Sequence, residues 1–510
     1  MAARFFVNGG VDNNWGTTGN WSLTSGGAGG QAVPTASDDV TFDGNSPNCT
    51  LDTSARVCKT VTWSAYTNTI TFNQNLTVSG NVTLGASMTF AGASSLIINA
   101  TSTFTQNGKA IGVPFSITGA ATTQTFSGTV TCNENFSITG TTLTMTGGTL
   151  DLKKSCTHNA TGNTAGSTNI TMSGTGTITC SNTGSFSMNT GTISFNTAGT
   201  ITISGNLNLV NPTLQYVTGT MIVVGSTIIS TGTGTKLDLS GMTINNYTTA
   251  FNNTLISDLN VGGTYTNTSG SNTLTGAFNV YVGGSLTITA GSIIGTGGGI
   301  IMNGTGTISG AGTIRLPLTI NTAGTVTFSG TVLLASGASV TYVAGTVVTT
   351  SSTLSCGASM TLNTAGIVWN NVSITAGTTM TNNSLLTATG TLTETVSTLW
   401  AGTAGFTIGT LSFIASTPLI MTLTQGNTYT VNTALYLISS ATSSMITLKS
   451  SSAGTPVVFN VTASNTSHYI LGVTITDVNS SGGNPVLSRL CTLSNTTNWV
   501  ALPATTGSTF

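Results

Sequence analysis

Residues 76–84 read LTVSGNVTL, residues 201–209 read ITISGNLNL, and residues 326–334 read VTFSGTVLL. In each stretch apolar residues stand two apart on both sides of a Ser-Gly pair. A β-strand turns successive side chains to opposite faces. Leu76, Val78, Val82 and Leu84 therefore share one face, while Thr and Asn take the other; Ile201, Ile203, Leu207 and Leu209 repeat the arrangement. Two short strands flanking a tight corner are expected in each stretch, with glycine at the bend because it reaches backbone angles closed to other residues.

Gly80, Gly205 and Gly330 are evenly spaced, at an interval that fits either five coils of about 25 residues or six of about 21. Further echoes are NTAG beginning at Asn163, Asn196, Asn321 and Asn363, and the pair MSGTGTIT from Met172 and MNGTGTIS from Met302. Repeated short strands of this kind build a stack of coils. Each strand pairs with the coil above and below, so backbone groups are satisfied, while Ile, Val and Leu fill the inside and Thr and Asn ladders line the outside. The fold class expected is all-β, an elongated β-solenoid, a right-handed parallel β-helix by expectation, with a distinct N-terminal cap or docking region. If residues from about 60 to 490 form 18 to 20 coils, the stack is about 90 Å long at roughly 4.8 Å per coil.

Composition agrees with one uniform architecture. The 510 residues include 64 Gly, 10 Lys+Arg and 11 Asp+Glu, so only 4% are charged and the polar surface consists of hydroxyls and amides. Disorder is disfavoured because β-branched and apolar residues recur in period-two runs. A net charge of -1 with no basic stripe removes the electrostatic term that dominates nucleic-acid binding and attraction to anionic lipid. Neither nucleic acid nor membrane insertion is expected, and no run of some 18 apolar residues suggests a membrane span. The start, MAARFFVNGG, has no apolar stretch of secretory-signal length, so synthesis in a cytoplasm is expected.

Cysteine usage points away from metal. Cys49, Cys58, Cys132, Cys156, Cys180, Cys356 and Cys491 form no CxxC pair, and only two His are present, so a zinc site is not expected. Cys132, Cys156 and Cys180 follow one another at an even spacing of 24. With a coil of that length they form a structural ladder, reduced and buried as small hydrophobes, or, in the alternative reading, paired as disulfides between adjacent coils.

The ends differ from the body. Three regions are expected: residues 1–60 as an N-terminal cap or docking region, 61–410 as the solenoid body, and 411–510 as C-terminal β-helix coils and cap. The run from Arg4 to Gly44 carries RFFV, a first Trp, NWS, SGGAGG, a Pro and DDVTFDG in that order. This order resembles an N-terminal signature of tailed-bacteriophage virion surface proteins of the parallel β-helix kind. The C-terminal stretch, with MTLTQGNTYTV, ITLKSSSAGTPVVFNV, HYILGVTITDVNSSGGNP and NTTNWVAL, is similar to the closing coils of the same proteins. The resemblance covers about forty residues at one end and about ninety at the other. It implies a fibre, capsid decoration or tail appendage on the virion surface. Its partners would be other virion proteins, docked through the N-terminal region, and host cell-surface glycans, held weakly. Two oligomeric states are compatible with it, a homotrimer, since phage fibres are often trimers, and a monomer, since a lone β-helix can stand by itself. No catalytic motif is carried over.

Chemistry has few candidates. A glycan-cleaving tailspike needs paired carboxylates about 5 to 10 Å apart. Asp238 and Asp258, at a spacing of 20, are candidates for neighbours on adjacent coils; Glu134 and Asp151, at a spacing of 17, align less easily. Asp238 reads more simply as an outward strand residue partnered by Lys236. From Leu259 to Thr393 no acid occurs, leaving the middle without a general acid or base. His158 follows Lys153, Lys154 and Cys156 and reads as part of a surface polar cluster rather than a Cys-His nucleophile, because no third group orients it. Asp38, Asp39 and Asp43 offer oxygen ligands for Ca²⁺, but DDVTFDGN lacks the spacing of a calcium loop, so turn or strand-capping roles are favoured. Trp15 and Trp21 are the candidate sugar-stacking residues; plugging the open end of an apolar stack is the favoured role for them and for Trp63, Trp369, Trp400 and Trp499. Sequons such as those at Asn20, Asn75 and Asn81 follow from composition. No catalytic residue, cofactor or metal is assigned.

Overall fold

The computed structural model describes residues 2–10, 12–120, 122–140, 143–160, 164–180, 186–187, 191–377, 379–439, 446–480 and 485–502. Its elements are β-strands, apart from two single-turn 3-10 helices, Thr18–Asn20 and Asn465–Ser467. The chain is a parallel β-solenoid and divides into two compact units, Met1–Asn260 and Val261–Phe510.

In the first unit Leu76 is registered with Leu96, Leu96 with Phe115, Phe115 with Phe136, Phe136 with Cys156, Cys156 with Ile178 and Ile178 with Ile203. Six coils thus separate the first Ser-Gly stretch from the second, which selects the shorter of the two coil lengths, about 21 residues. The inward residues are buried as the alternation requires: Leu76, Val78, Val82 and Leu84 at the first stretch, Ile201, Ile203, Leu207 and Leu209 at the second. Each such side chain contributes about 1.5–3 kcal/mol by leaving water. A separate three-stranded parallel sheet joins Cys49–Leu51, Thr69–Phe72 and Thr89–Gly92.

At the N-terminus the strand Ala3–Phe6 runs parallel to Asp39–Thr41 and antiparallel to Trp21–Ser22. Asp39–Thr41 in turn pairs with Thr60–Thr62. The first residues thereby cover the open edge of the first coil, an edge that would otherwise present unpaired N–H and C=O groups.

In the second unit Val280 is registered with Ile300, Ile300 with Leu318, Leu318 with Val340 and Val340 with Leu362. The coils lengthen toward the C-terminus: Tyr429 is registered with Phe459, and Leu435 with His468.

The Ser-Gly corners differ in construction. Residues 76–84 form two strands, Leu76–Val78 and Val82–Thr83, around a corner, whereas residues 201–209 lie inside one strand, Thr192–Val210. Gly205 and Gly330 have positive φ, 76° and 68°. At Gly80 the requirement is space: a Cβ there would stand 2.9 Å from the Lys59 carbonyl oxygen of the preceding coil.

Two of the NTAG echoes, one in each unit, mark the same bulge module. The strand Thr192–Val210 pairs with Thr213–Ile222 with its register shifted around Asn196; Pro317–Phe328 pairs with Ser339–Val348 with the shift around Asn321. In the first, Thr197 Oγ1 accepts from the Gly199 N–H at 3.0 Å and the Tyr216 hydroxyl donates to Gly219 O at 2.7 Å. In the second, Thr322 Oγ1 accepts from Gly324 at 2.9 Å and Tyr342 donates to Gly345 O at 2.8 Å. The echo at Asn363 ends a strand, Met360–Asn363, and that at Asn163 lies outside the described residues.

Candidate functional site

Trp15 and Trp21, the candidate sugar-stacking residues, are both fully buried. Their ring centroids are 4.8 Å apart, and the Trp21 indole N–H donates to Trp15 O at 2.7 Å. Phe6 packs edge-on to Trp21 at 5.3 Å, and Phe42 joins Phe6, Trp63 and Tyr66. Neither indole offers a face to a sugar in solvent. The cluster is the apolar plug of the first coil.

The three aspartates of DDVTFDG do not converge on one point. Asp38 is buried, accepting from Ala2 N at 3.1 Å and from Thr35 N and Oγ1 at 3.0 and 2.9 Å. Burial pushes its carboxyl up, but the hydrogen bonds from Thr35 and Ala2 and the charge of Arg4 outweigh it and leave it below the usual range. Asp39 accepts from the Thr60 hydroxyl at 2.7 Å, and Asp43 accepts from the Asn45 N–H at 2.9 Å in a local turn. Among the described residues no group of three or more His, Cys, Asp or Glu is placed to hold a metal ion. Asp12, given no role by the sequence reading, accepts from Asn14 N, Asn14 Nδ2, Thr17 Oγ1 and Asn20 Nδ2, and its carboxyl is lowered chiefly by the Asn14 N–H.

The cysteine ladder is not formed. Cys132 is registered with Leu152, Cys156 with Phe136 and Ile178, and Cys180 with His158 and Gly205. A spacing of 24 overshoots coils of about 21 residues, so the three residues occupy different columns. Cys132 and Cys156 are both buried, and burial pushes the Cys132 thiol well above its ordinary value. His158 also departs from its expected surface position. It points inward two residues after Cys156, its ring 4.5 Å from that of Phe186, and burial lowers it to about 4.

Neither acid pair stands directly in register. Asp238 receives a 3.3 Å hydrogen bond from Gln215 Nε2, and no ion pair links it to Lys236 among the described residues. Leu237 is registered with Leu255, which leaves Asp258 further along, beyond the strand end. Glu134 pairs with Lys154 at 2.6 Å and Asp151 with Lys153 at 3.0 Å, both at the surface, where such pairs contribute little.

Two features escaped the sequence reading. Glu394 is fully buried: the Trp400 indole N–H donates to its Oε1 at 2.6 Å and its Oε2 accepts no hydrogen bond. Burial pushes its carboxyl up to about 8, against the opposing influence of Trp400 and Thr398. The signal was available, because Glu394 stands in phase with inward Leu392. The second feature is a depression of about 390 Å³ near the C-terminus, lined by His468, Tyr469, Leu471, Leu487, Arg489 and Leu502 among others. Arg489 is exposed there with no ion-pair partner among the described residues.

No helix among the described residues is long and apolar enough to cross a membrane. Compared with protein-family models, with curated proteins and with solved structures, the chain matches none.

Proposed function

We propose that this chain is a structural protein of a tailed-bacteriophage virion, a surface fibre, decoration or tail appendage that docks through its N-terminal region and adheres weakly to host glycans. The observation that carries the proposal is the outward face of the coils. Along one column Thr77, Ile97, Ser116, Ser137, Thr157 and Thr179 follow one another in register. Neighbouring hydroxyls bond along such columns, Ser116 to Ser137 at 2.7 Å and Thr125 to Thr146 at 3.0 Å. Repeated hydroxyls and amides make weak contacts with sugar hydroxyls, and many copies on one particle turn weak contacts into avidity. Scarcity of charge keeps such contacts tolerant of salt. The N-terminal signature supports the virion assignment.

Mass spectrometry of gradient-purified particles, with immunogold imaging, tests the proposal. The expected result is this chain at multiple copies per particle with label on the outside. Recovery only from a bacterial envelope fraction overturns it in favour of a cell-surface adhesin. Release of reducing sugar from host polysaccharide by the purified chain overturns the purely adhesive role in favour of a depolymerase.

A further inference from the structure

Arg489 is the one charged residue among those lining the depression near the C-terminus. Charge is scarce in this chain, with 10 Lys+Arg and 11 Asp+Glu in 510 residues. Two other arginines have carboxylates at hand: Arg56 pairs with Asp52, and the charge of Arg4 acts on Asp38. Arg489 is exposed, makes no ion pair among the described residues and has no acid beside it in the lining. His468, which also lines the depression, is lowered from its ordinary value by burial and is neutral near pH 7. The guanidinium therefore supplies the positive charge there.

Registration places the remaining groups. Arg489 stands between Leu471 and Leu502 in one outward column. Two residues back along the same strands, Tyr469 comes beside Leu487. Tyr469 is 40% exposed, and Tyr436, registered with it on the preceding coil, is 37% exposed. At about 4.8 Å between strands and about 6.6 Å between alternate residues, the Cα atoms of Tyr469 and Arg489 stand about 8 Å apart. One six-membered sugar ring spans that interval, with a phenol ring available to its C–H face and a guanidinium to a carboxylate on it. The corner that follows is strained: Leu490 has φ 51°, whereas the other non-glycine residues of positive φ among the described ones are Asn or Asp, types that tolerate this backbone. Such strain persists where the surroundings over-determine it, and it clusters at ligand clamps.

We infer that this depression is a binding subsite for a uronic-acid residue of a polysaccharide, its carboxylate on Arg489 and its ring on Tyr469. Arginine presents its N–H donors in a planar fork that matches a carboxylate, and a neutral sugar would leave that fork without an anion. A volume of about 390 Å³ lies at the small end of ligand pockets, roughly 300–1,000 Å³, and suits one or two sugar rings. Leu471, Leu487 and Leu502 supply the apolar walls that such sites combine with a few placed polar groups. The inference rests on the reading of the chain as a glycan adhesin and adds to it a charged, selective contact. The hydroxyl columns bind through neutral groups and tolerate salt, whereas the Arg489 contact weakens as salt rises.

Ligand-observed NMR titration of the full chain with trigalacturonate, and with its methyl ester, which keeps the rings and removes the charge, tests it. The acid is expected to bind with a dissociation constant of about 1 mM at low salt, and the ester at least about tenfold more weakly. Arg489→Gln and Tyr469→Ala are each expected to weaken binding of the acid at least about tenfold, and Arg489→Lys to weaken it less. Arg315→Gln, at an exposed arginine of an earlier coil, is expected to leave it unchanged. Circular dichroism reports folding of each variant, and the comparison of acid with ester needs no variant at all. An ester that binds as tightly as the acid, or a folded Arg489→Gln or Tyr469→Ala variant that binds the acid as tightly as the wild type, overturns the inference and leaves the hydroxyl columns as the glycan contact. Binding of neither trisaccharide up to about 20 mM overturns it too, and retention of isolated host polysaccharide by the same protein then decides the adhesive role separately.

Discussion

Glu394 shows what a single inward side chain does to a coil. Two residues after Leu392 the strand again points inward, and the residue there is a carboxyl with one oxygen on the Trp400 indole and the other without a hydrogen bond. An ionised carboxylate in that setting is strongly disfavoured, so folding holds the proton on. The folded value, about 8, lies above that of the unfolded chain. Stability from this group is therefore fully present below the unfolded value and is lost as pH rises toward 8, with a slope of up to about 1.4 kcal/mol per pH unit for one proton. Glu394→Gln is expected to remove that slope and to raise the melting temperature at pH 8, measured by thermal denaturation across pH. At the N-terminus the energetics are of packing. Trp21 touches Phe6, Trp15 and Phe42, and Trp21→Ala is expected to cost about 3–5 kcal/mol, read by chemical denaturation with a probe in the first unit.

Strands and corners show where the sequence was readable. Period-two alternation located the inward residues, and the in-phase apolar residues of LTVSGNVTL, ITISGNLNL and VTFSGTVLL are buried. Coil length was not readable, because corners absorb insertions without disturbing the strands. Successive coils differ in length, yet one column runs unbroken from Leu76 through Leu96, Phe115, Phe136, Cys156 and Ile178 to Ile203. Equal spacing of Cys132, Cys156 and Cys180 thus carried no stacking information. The corners have their own chemistry, which explains the abundance of Asn better than glycosylation does. Asn75 Oδ1 accepts from Ser95 N at 2.8 Å, Asn81 Oδ1 from Thr103 N at 2.9 Å, and Asn371 Oδ1 from Thr391 N at 2.8 Å, each one coil apart. Asn81→Ala is expected to cost about 0.5–1.5 kcal/mol. Gly330→Ala is expected to cost about 1–2 kcal/mol from backbone strain alone, since no atom stands within 4 Å of a Cβ there. Denaturant midpoints of the two variants check both values.

At the scale of the molecule, coils contact their neighbours in the stack, so stability is a sum of local terms that propagate a short way. Each unit should then answer pH through its own buried groups. The first holds His158, lowered by burial to about 4. A histidine kept neutral by folding contributes stability present above the unfolded value near 6.5 and lost as pH falls toward 4. The second holds Glu394, whose contribution runs the other way, falling as pH rises toward 8. Hydrogen exchange read by mass spectrometry, corrected for the intrinsic pH dependence of the chemistry, separates the two. Peptides around residues 150–180 are expected to gain protection between pH 4 and 6.5, and peptides around 386–413 to lose it between pH 6.5 and 8. Glu394→Gln should abolish the second response and leave the first intact, because nearest-neighbour coupling does not carry a change in one buried side chain from the coils of Glu394 to those of His158. A variant that alters protection around His158 would show cooperativity extending across the whole chain and would replace the sum of local terms with a single folding unit.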